Sequence, residues 1–426
     1  MTVLIFMGSL IGAMAIGVPI AYALLLSGLA LMLHLDMFDA QILAQNVING
    51  ANNFPLLAVP FFMLAGEIMN AGGLSKRIVQ LAITLVGHVR GGLGFVAIVA
   101  ALILAALSGS AVADAAALSA LLLPMMITAG HKPGRAGGLI ASAGTIAPVL
   151  PPSIGYVIFG VTANVSISKL FLAGIVPGVL LGAGLWVAWW WVAKREHIAV
   201  PRKATMAERW HALKESSWAL VLPLIVLVGL KMGVFTPTEA GVVAAVYAFC
   251  VATFVYKELK WSQMYAIFVS ASRTAGVVMF LVAASMVSAW LITVADLPAQ
   301  MVDMLQPFMG NQTLLMIAIM ALVMAVGTAL DMTPTILILT PVLMPVIKAA
   351  GIDPVYFGVL FMINNAIGLI TPPVGVVLNV VAGVGKMRMD EVTRGAIPFM
   401  MVQFGVMFLL VFFPQLVIWP ARLLGG

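Results

Sequence analysis

Ala147-Pro148-Val149-Leu150-Pro151-Pro152-Ser153 interrupts an apolar run that extends from Ala136 to Asn164. Two consecutive prolines remove two backbone donors and free the carbonyls one turn earlier. At membrane depth such backbone survives only where it is buried in protein or lines a polar cavity. The run therefore reads as a broken helix. The break recurs 221 residues on, as Thr371-Pro372-Pro373-Val374. Adding 221 to positions 124–177 aligns the chain on itself without a gap. Pro124, Pro133, Pro151, Pro152 and Pro177 fall on Pro345, Pro354, Pro372, Pro373 and Pro398, and Gly130, Gly137 and Gly174 fall on Gly351, Gly358 and Gly395. This is an internal duplication.

A second interruption precedes each break. The apolar run Gly92 to Ile127 is cut by Ser108-Gly109-Ser110, and the equivalent place holds Ala329-Leu330-Asp331. Each repeat thus pairs a hairpin tip with a broken helix. The surrounding composition is that of a membrane protein: 63% of the 426 residues are hydrophobic and 8% are charged, against about 45–50% and roughly 25% in soluble domains. Soluble enzymes, disordered chains and nucleic-acid binders are poor fits. The single cysteine, Cys250, excludes a disulfide framework or a thiolate cluster. Continuous rather than alternating apolar runs exclude a β-barrel. The fold class is an all-α polytopic membrane protein with two repeats.

Charge orients them. Lys76, Arg77, Arg90, Lys132 and Arg135 flank the first hairpin, whereas Asp296, Asp303, Lys348 and Asp353 flank the second. By the positive-inside rule the first enters from the cytoplasm and the second from outside, so the repeats are inverted. The resulting threading places 16 of 21 basic residues inside, including those of a soluble loop over 194–214. Lys169, Lys231, Lys348 and Arg422 fall outside, and Arg273 is unassigned. The first apolar run, Thr2 to Leu33, has no basic n-region and exceeds a signal peptide's apolar segment. As one helix it would reach about 48 Å, against a hydrocarbon core of about 30 Å. It either tilts strongly or bends at Gly17-Val18-Pro19. Leu74 to Arg90 reads as an amphipathic helix, Gln41 to Asn53 as a short mixed stretch, and a span is expected over 274–295. Trp189-Trp190-Trp191 reads as an interface belt.

Inverted repeats with broken helices meeting in mid-membrane are a transporter architecture. Unwound carbonyls and hydroxyls offer oxygen to a hard cation, and half-helix N-termini offer positive dipole ends to an anion. The first site comprises Ser108, Ser110, Gly144, Thr145 and Pro148 to Ser153. The second comprises Gly327, Thr328, Asp331, Asn364, Asn365 and Thr371 to Pro373. Oxygen donors without His or thiolate suit sodium rather than zinc or copper. An acid at membrane depth, such as Asp331, is costly and usually functional. Asp114 and Glu67 also lie in apolar runs, where each can serve as an internal hydrogen-bond partner. Arg273 could bind a substrate carboxylate bidentately or snorkel to the interface. No P-loop, His-Glu-x-x-His or Gly-x-Ser-x-Gly occurs, so transport would draw on an ion gradient and no catalytic residue is assigned.

Ala58-Val59-Pro60-Phe61-Phe62-Met63-Leu64-Ala65-Gly66, Leu107-Ser108-Gly109-Ser110-Ala111-Val112-Ala113, Pro151-Pro152-Ser153, Gly327 to Asp331 and Thr371-Pro372-Pro373-Val374-Gly375 resemble the large (DctM-like) membrane subunit of tripartite ATP-independent periplasmic (TRAP) transporters. The resemblance covers nearly the whole chain. It implies the elevator fold of the ion-transporter superfamily in a bacterial inner membrane. A transport domain in two parts (91–193 and 311–419) would slide against a scaffold (1–73 and 194–296). Arm helices (74–90 and 297–310) would link them, with a tail over 420–426. It implies sodium-driven uptake of an organic acid, such as a C4-dicarboxylate or sialic acid. One sodium would sit at Ser108, Ser110, Gly144, Pro148 and Pro151, and another at Gly327, Thr328, Asp331, Asn364 and Thr371. The substrate would lie between the tips, near Gly109, Thr145, Ser153, Asn365, Pro372 and Arg273. The implied partners are a small four-helix membrane subunit, expected as a separate chain, and a periplasmic substrate-binding protein. No nucleic acid and no cofactor beyond the coupling ions is expected. The alternatives are a stand-alone sodium-coupled carboxylate symporter or antiporter of the same superfamily, and a non-transporting subunit of an energy-converting complex.

Overall fold

The computed structural model describes residues 2–194 and 202–425, which form helices, turns and bends without strands. The N-terminal apolar run is broken at Gly17-Val18-Pro19: α1 (Thr2–Ala15) and α2 (Ile20–His34) fold back on each other, with Gly17 at φ +86°. At 1.5 Å per residue neither reaches about 30 Å, so the bend is realised and the single tilted helix is not. The mixed stretch after Asp39 is itself helical, α3 (Ala40–Ala51), because the Asp39 carboxylate accepts from the Gln41 and Ile42 amides and caps it. A 3-10 turn, Phe54–Leu57, leads into α4 (Ala58–Ala71). The amphipathic α5 (Leu74–Val86) buries Leu74, Ile78 and Leu81 and turns Lys76 and Gln80 outward.

The first hairpin is α6 (Gly92–Ser108) and α7 (Ala111–Thr128), joined by Gly109 and Ser110. The broken helix follows as α8 (Pro133–Gly144) and α9 (Ile154–Ala163), then α10 (Ile167–Ala193). The expected loop over 194–214 is corrected. The Thr205 hydroxyl accepts from the Glu208 amide and the Glu208 carboxylate from the Thr205 amide. This capping box starts α11 (Met206–Lys231) before the apolar residues begin. Residues 195–201 of that loop, Arg195 included, lie outside the described residues. Thr236 and Glu239 repeat the device at α12 (Pro237–Cys250), which ends in a π-helical turn, Val251–Val255. α13 (Trp261–Val294) is continuous for 34 residues, so the span expected over 274–295 starts earlier. Arg273 therefore lies inside this helix, not ahead of a span.

α14 (Leu297–Met309), α15 (Gln312–Gly327), α16 (Met332–Ala349), α17 (Pro354–Gly368), α18 (Val376–Gly385) and α19 (Met389–Phe412) repeat α5 to α10 in order. α20 (Gln415–Gly425) is helical through most of the expected tail. α7 and α16 begin and end 221 residues apart, and Pro151-Pro152 and Pro372-Pro373 are both cis.

The inversion can be read from one helix, α19. The Gly134 amide donates to Glu391, Gly138 lies against Gly395, and Gln403 donates to the Ser142 carbonyl. α8 thus runs parallel to α19. Tyr356, near the start of α17, donates to the Leu410 carbonyl at the end of α19, while Thr371 beyond α17 reaches Met400. α17 thus runs antiparallel to it. The equivalent helices α8 and α17 point in opposite directions, which is the inverted topology that charge implied. The repeats also exchange contacts: α9 packs on α16 and α18 on α7.

Among the described residues, eight helical segments are long and apolar enough to cross a membrane. Two of these, α7 and α16, are return arms of hairpins. The tryptophan run divides. Trp190 and Trp191 are exposed, but Trp189 is wholly buried and donates Nε1–H to the Gly91 carbonyl at 2.8 Å. It fits because Gly94 has no side chain where the indole lies. Trp189→Phe is expected to lose about 1 kcal/mol with that hydrogen bond, measured as a modest fall in the heat-unfolding midpoint in detergent.

Candidate functional site

The first site is a hairpin tip pressed against a helix break. Gly109 closes α6 at φ +62°, a conformation that favours glycine. A Cβ there would stand 2.5 Å from the Pro152 carbonyl oxygen and 3.0 Å from Ser153 Cα. Ser108 Oγ donates to the Asp114 carboxylate and accepts from the Ser110 amide, while Ser110 Oγ caps α7 at the Ala113 amide. The other Asp114 oxygen is buried without a hydrogen-bond partner among the described residues. Within the break, Ser153 Oγ donates to the Pro148 carbonyl at 2.7 Å, the acceptor that Pro152 cannot serve. Thr145 Oγ1 donates to the Ser142 carbonyl, and Gln403 reaches both from α19, at 2.9 and 2.8 Å. Gly144, Pro148 and Pro151 to Ser153 are all buried.

The second site is built differently. Gly327 ends α15 against Gly368, which ends α17: a Cβ on Gly368 would lie 2.7 Å from the Gly327 carbonyl oxygen. Asn364 Nδ2 donates to the Met320 carbonyl at 2.6 Å, and Asn365 Nδ2 to the Phe361 carbonyl at 2.8 Å. Both side chains are buried, and neither Oδ1 atom has a hydrogen-bond partner among the described residues. Thr371 Oγ1 and Thr328 Oγ1 donate to the Ile367 and Ala325 carbonyls. Asp331 stands at the N-cap of α16 and is exposed, as are Pro372 and Pro373. The second break is thus open where the first is enclosed.

The two sites adjoin. A Cβ on Gly155, just past the first break, would meet Met332 at 3.1 Å and Met362 at 2.9 Å; Met332 follows Asp331 at the second tip. The N-termini of α7, α9 and α16 therefore converge, and helix N-termini favour an anion. The C-termini of α15 and α17 meet at Gly327 and Gly368, about one turn beyond Asn364 and Asn365 on α17, and carbonyl and amide oxygens are donors suited to a hard cation. Arg273 is not drawn in: it is exposed on α13, while its neighbours Ala271 and Thr274 line a cavity at the first tip. Sequence reasoning overlooked Gln403, whose only signal was one amide inside an apolar span. Asp114 and Glu67 act as the internal partners anticipated, for Ser108 and Ser270.

Residues 7–416 match the family described as "Tripartite ATP-independent periplasmic transporter, DctM component". The chain is 57% identical over 422 residues to the 2,3-diketo-L-gulonate TRAP transporter large permease protein YiaN of Escherichia coli (strain K12), covering 99% of each. It is 38% identical to the sialic acid TRAP transporter large permease protein SiaM of Vibrio cholerae, covering 95% of each. It is 35% identical to the C4-dicarboxylate TRAP transporter large permease protein DctM of the same organism, covering 98% of this chain and 96% of that one. Among solved structures, the Alcanivorax borkumensis YdaH transporter shares the fold at a TM-score of 0.67 and 14% identity, covering 90% of this chain and 91% of that one.

Proposed function

The chain belongs to the DctM-component family of TRAP transporters, as a multi-pass large permease subunit, and on that footing we propose that it carries an organic acid into the cell on a sodium gradient. The observation that carries this reading is the pairing of opposite helix ends at adjoining sites. The N-termini of α7 and α9 meet at the first tip and favour a carboxylate, while the C-termini of α15 and α17 meet at Gly327 and Gly368, and α17 also carries Asn364 and Asn365, whose oxygens suit a cation. The relatives above are named for a keto sugar acid, sialic acid and C4-dicarboxylates. Their shared chemistry is the carboxylate.

Asp114, Ser108 and the carbonyls of the first break supply oxygen to one sodium. Asn364, Asn365, Thr371 and the Gly327 carbonyl supply it to the other. The movement is of the elevator type: the interlocked repeats form the moving body, and the amphipathic α5 and α14 join it to the remaining helices. A periplasmic binding protein delivers the acid, a small four-helix subunit completes the membrane part, and the assembly sits in the bacterial inner membrane.

Proteoliposomes containing this chain, the small subunit and the binding protein are expected to accumulate a labelled organic acid only under an inward sodium gradient. Uptake unchanged when potassium replaces sodium would overturn the coupling. Equal uptake by this chain alone would favour a self-sufficient symporter instead.

A further inference from the structure

A cavity of about 300 Å³ lies between α4, α13 and the first hairpin tip. Its polar lining is Glu67, Asn70, Ser108, Ser110 and Thr274, and among the described residues no Lys, Arg or His lines it. Glu67 and Asn70 are three residues apart on α4, hence on one face. Glu67 Oε1 accepts from Ser270 Oγ of α13 at 2.9 Å, which holds the carboxylate in place. Asn70 Oδ1 accepts from Ser75 Oγ at 2.6 Å, which commits the amide oxygen and leaves its Nδ2 to donate. One anionic acceptor and one amide donor thus stand side by side in a cleft that reaches the tip serines and the start of α9.

A hydroxyl group uses both: it donates to a carboxylate and accepts from an amide N–H. A carboxylate ligand can use only the amide, and it would face Glu67 with like charge. We propose that this cavity receives the hydroxylated end of a polyhydroxy monocarboxylate, with its carboxylate toward the N-termini of α7 and α9. Glu67 then selects sugar acids and rejects dicarboxylates, since discrimination between ligands is commonly achieved by a repulsive element as well as an attractive one. This rests on the reading of the hairpin tips as the anion site.

The test uses the purified complex of this chain with its small subunit, in sodium buffer. Binding of gluconate, gulonate and 2-ketogulonate is compared with that of succinate, by ligand-induced thermal stabilisation and by isothermal titration. Wild type is expected to bind the best six-carbon acid at least about tenfold more tightly than succinate. Glu67→Gln keeps the size and the Ser270 contact, and Asn70→Ala removes the donor. Glu67→Gln is expected to gain about tenfold for succinate and lose about tenfold for the sugar acid, about 1.4 kcal/mol each way. Asn70→Ala is expected to weaken the sugar acid alone. Unchanged stabilisation by sodium shows that the variants are folded. Succinate bound by wild type as well as any six-carbon acid, or an unaltered preference in Glu67→Gln, would overturn the assignment. Failure of wild type to bind either class would overturn the organic-acid reading itself.

Discussion

Gly109→Val is expected to reduce uptake to background while the protein still reaches the membrane. Two independent effects combine at this residue. Its φ of +62° is strained for a β-branched side chain, at a cost of about 1–3 kcal/mol. Its Cβ would also stand 2.5 Å from the Pro152 carbonyl oxygen and 3.0 Å from Ser153 Cα, and these are backbone atoms that cannot rotate away. The tip must then lift off the break. The hydrogen bonds among Ser108, Ser110 and Asp114 belong to the tip itself and survive; the contact between repeat elements does not. Gly130→Val serves as the control. It has φ +95° but open space around a Cβ, and it lies at the base of the same hairpin. Uptake in Gly109→Val comparable to that in Gly130→Val would show that the close approach of tip and break is dispensable.

How much of this was legible in the sequence varies with the physics of each feature. The repeat was legible because prolines are irreplaceable where they break a helix, so Pro151, Pro152, Pro372 and Pro373 kept their spacing. The inversion was legible because Lys76, Arg77, Arg90, Lys132 and Arg135 gather at one hairpin's base, a consequence of membrane insertion rather than of packing. The helix starts at Ala40 and Met206 do not show in hydropathy. Asp39 and the Thr205–Glu208 pair each satisfy free amides through one or two side-chain oxygens, a local signal that apolar runs do not register. The burial of Trp189 depended on Gly94 and Gly91, nearly 100 residues away, so no window along the chain could show it. The role of Gln403 depended in the same way on α8 lying against α19. The two sites also differ in a manner the duplication hides. Asn364 and Asn365 fall opposite Ala143 and Gly144, and Asp114 falls opposite Thr335. Each repeat therefore holds its own oxygen set rather than a copy of the other's.

That inequality makes the second site separately testable. Asn364→Leu is expected to raise the sodium concentration needed for half-maximal uptake by tenfold or more. The side chain is fully buried, its Nδ2 engages the Met320 carbonyl, and its Oδ1 has no protein partner. A buried amide oxygen left unpaired is costly, and a cation in that position would relieve the cost. Hydrogen bonds to charged groups contribute about 1.5–3 kcal/mol, and losing an oxygen that serves a cation should have an effect of similar size, a factor of about ten to a hundred in apparent affinity. Asn364→Asp keeps an oxygen while losing the donor to Met320, so it separates the two roles. If the oxygen matters, Asp restores sodium dependence and Leu does not. If only the Met320 contact matters, both variants fail alike, and the loss appears as lower heat stability in potassium as well as in sodium. A wild-type sodium curve in Asn364→Leu would remove this residue from the cation site. The first site offers the matching control: Ser108→Ala frees the Asp114 carboxylate from its hydrogen bond to Ser108 and should change sodium dependence without altering the response to Asn364 substitution, provided the two cations bind independently. Non-additive effects in the double variant would instead measure the coupling between the sites, which the contact of Gly155 with Met332 and Met362 makes physically direct.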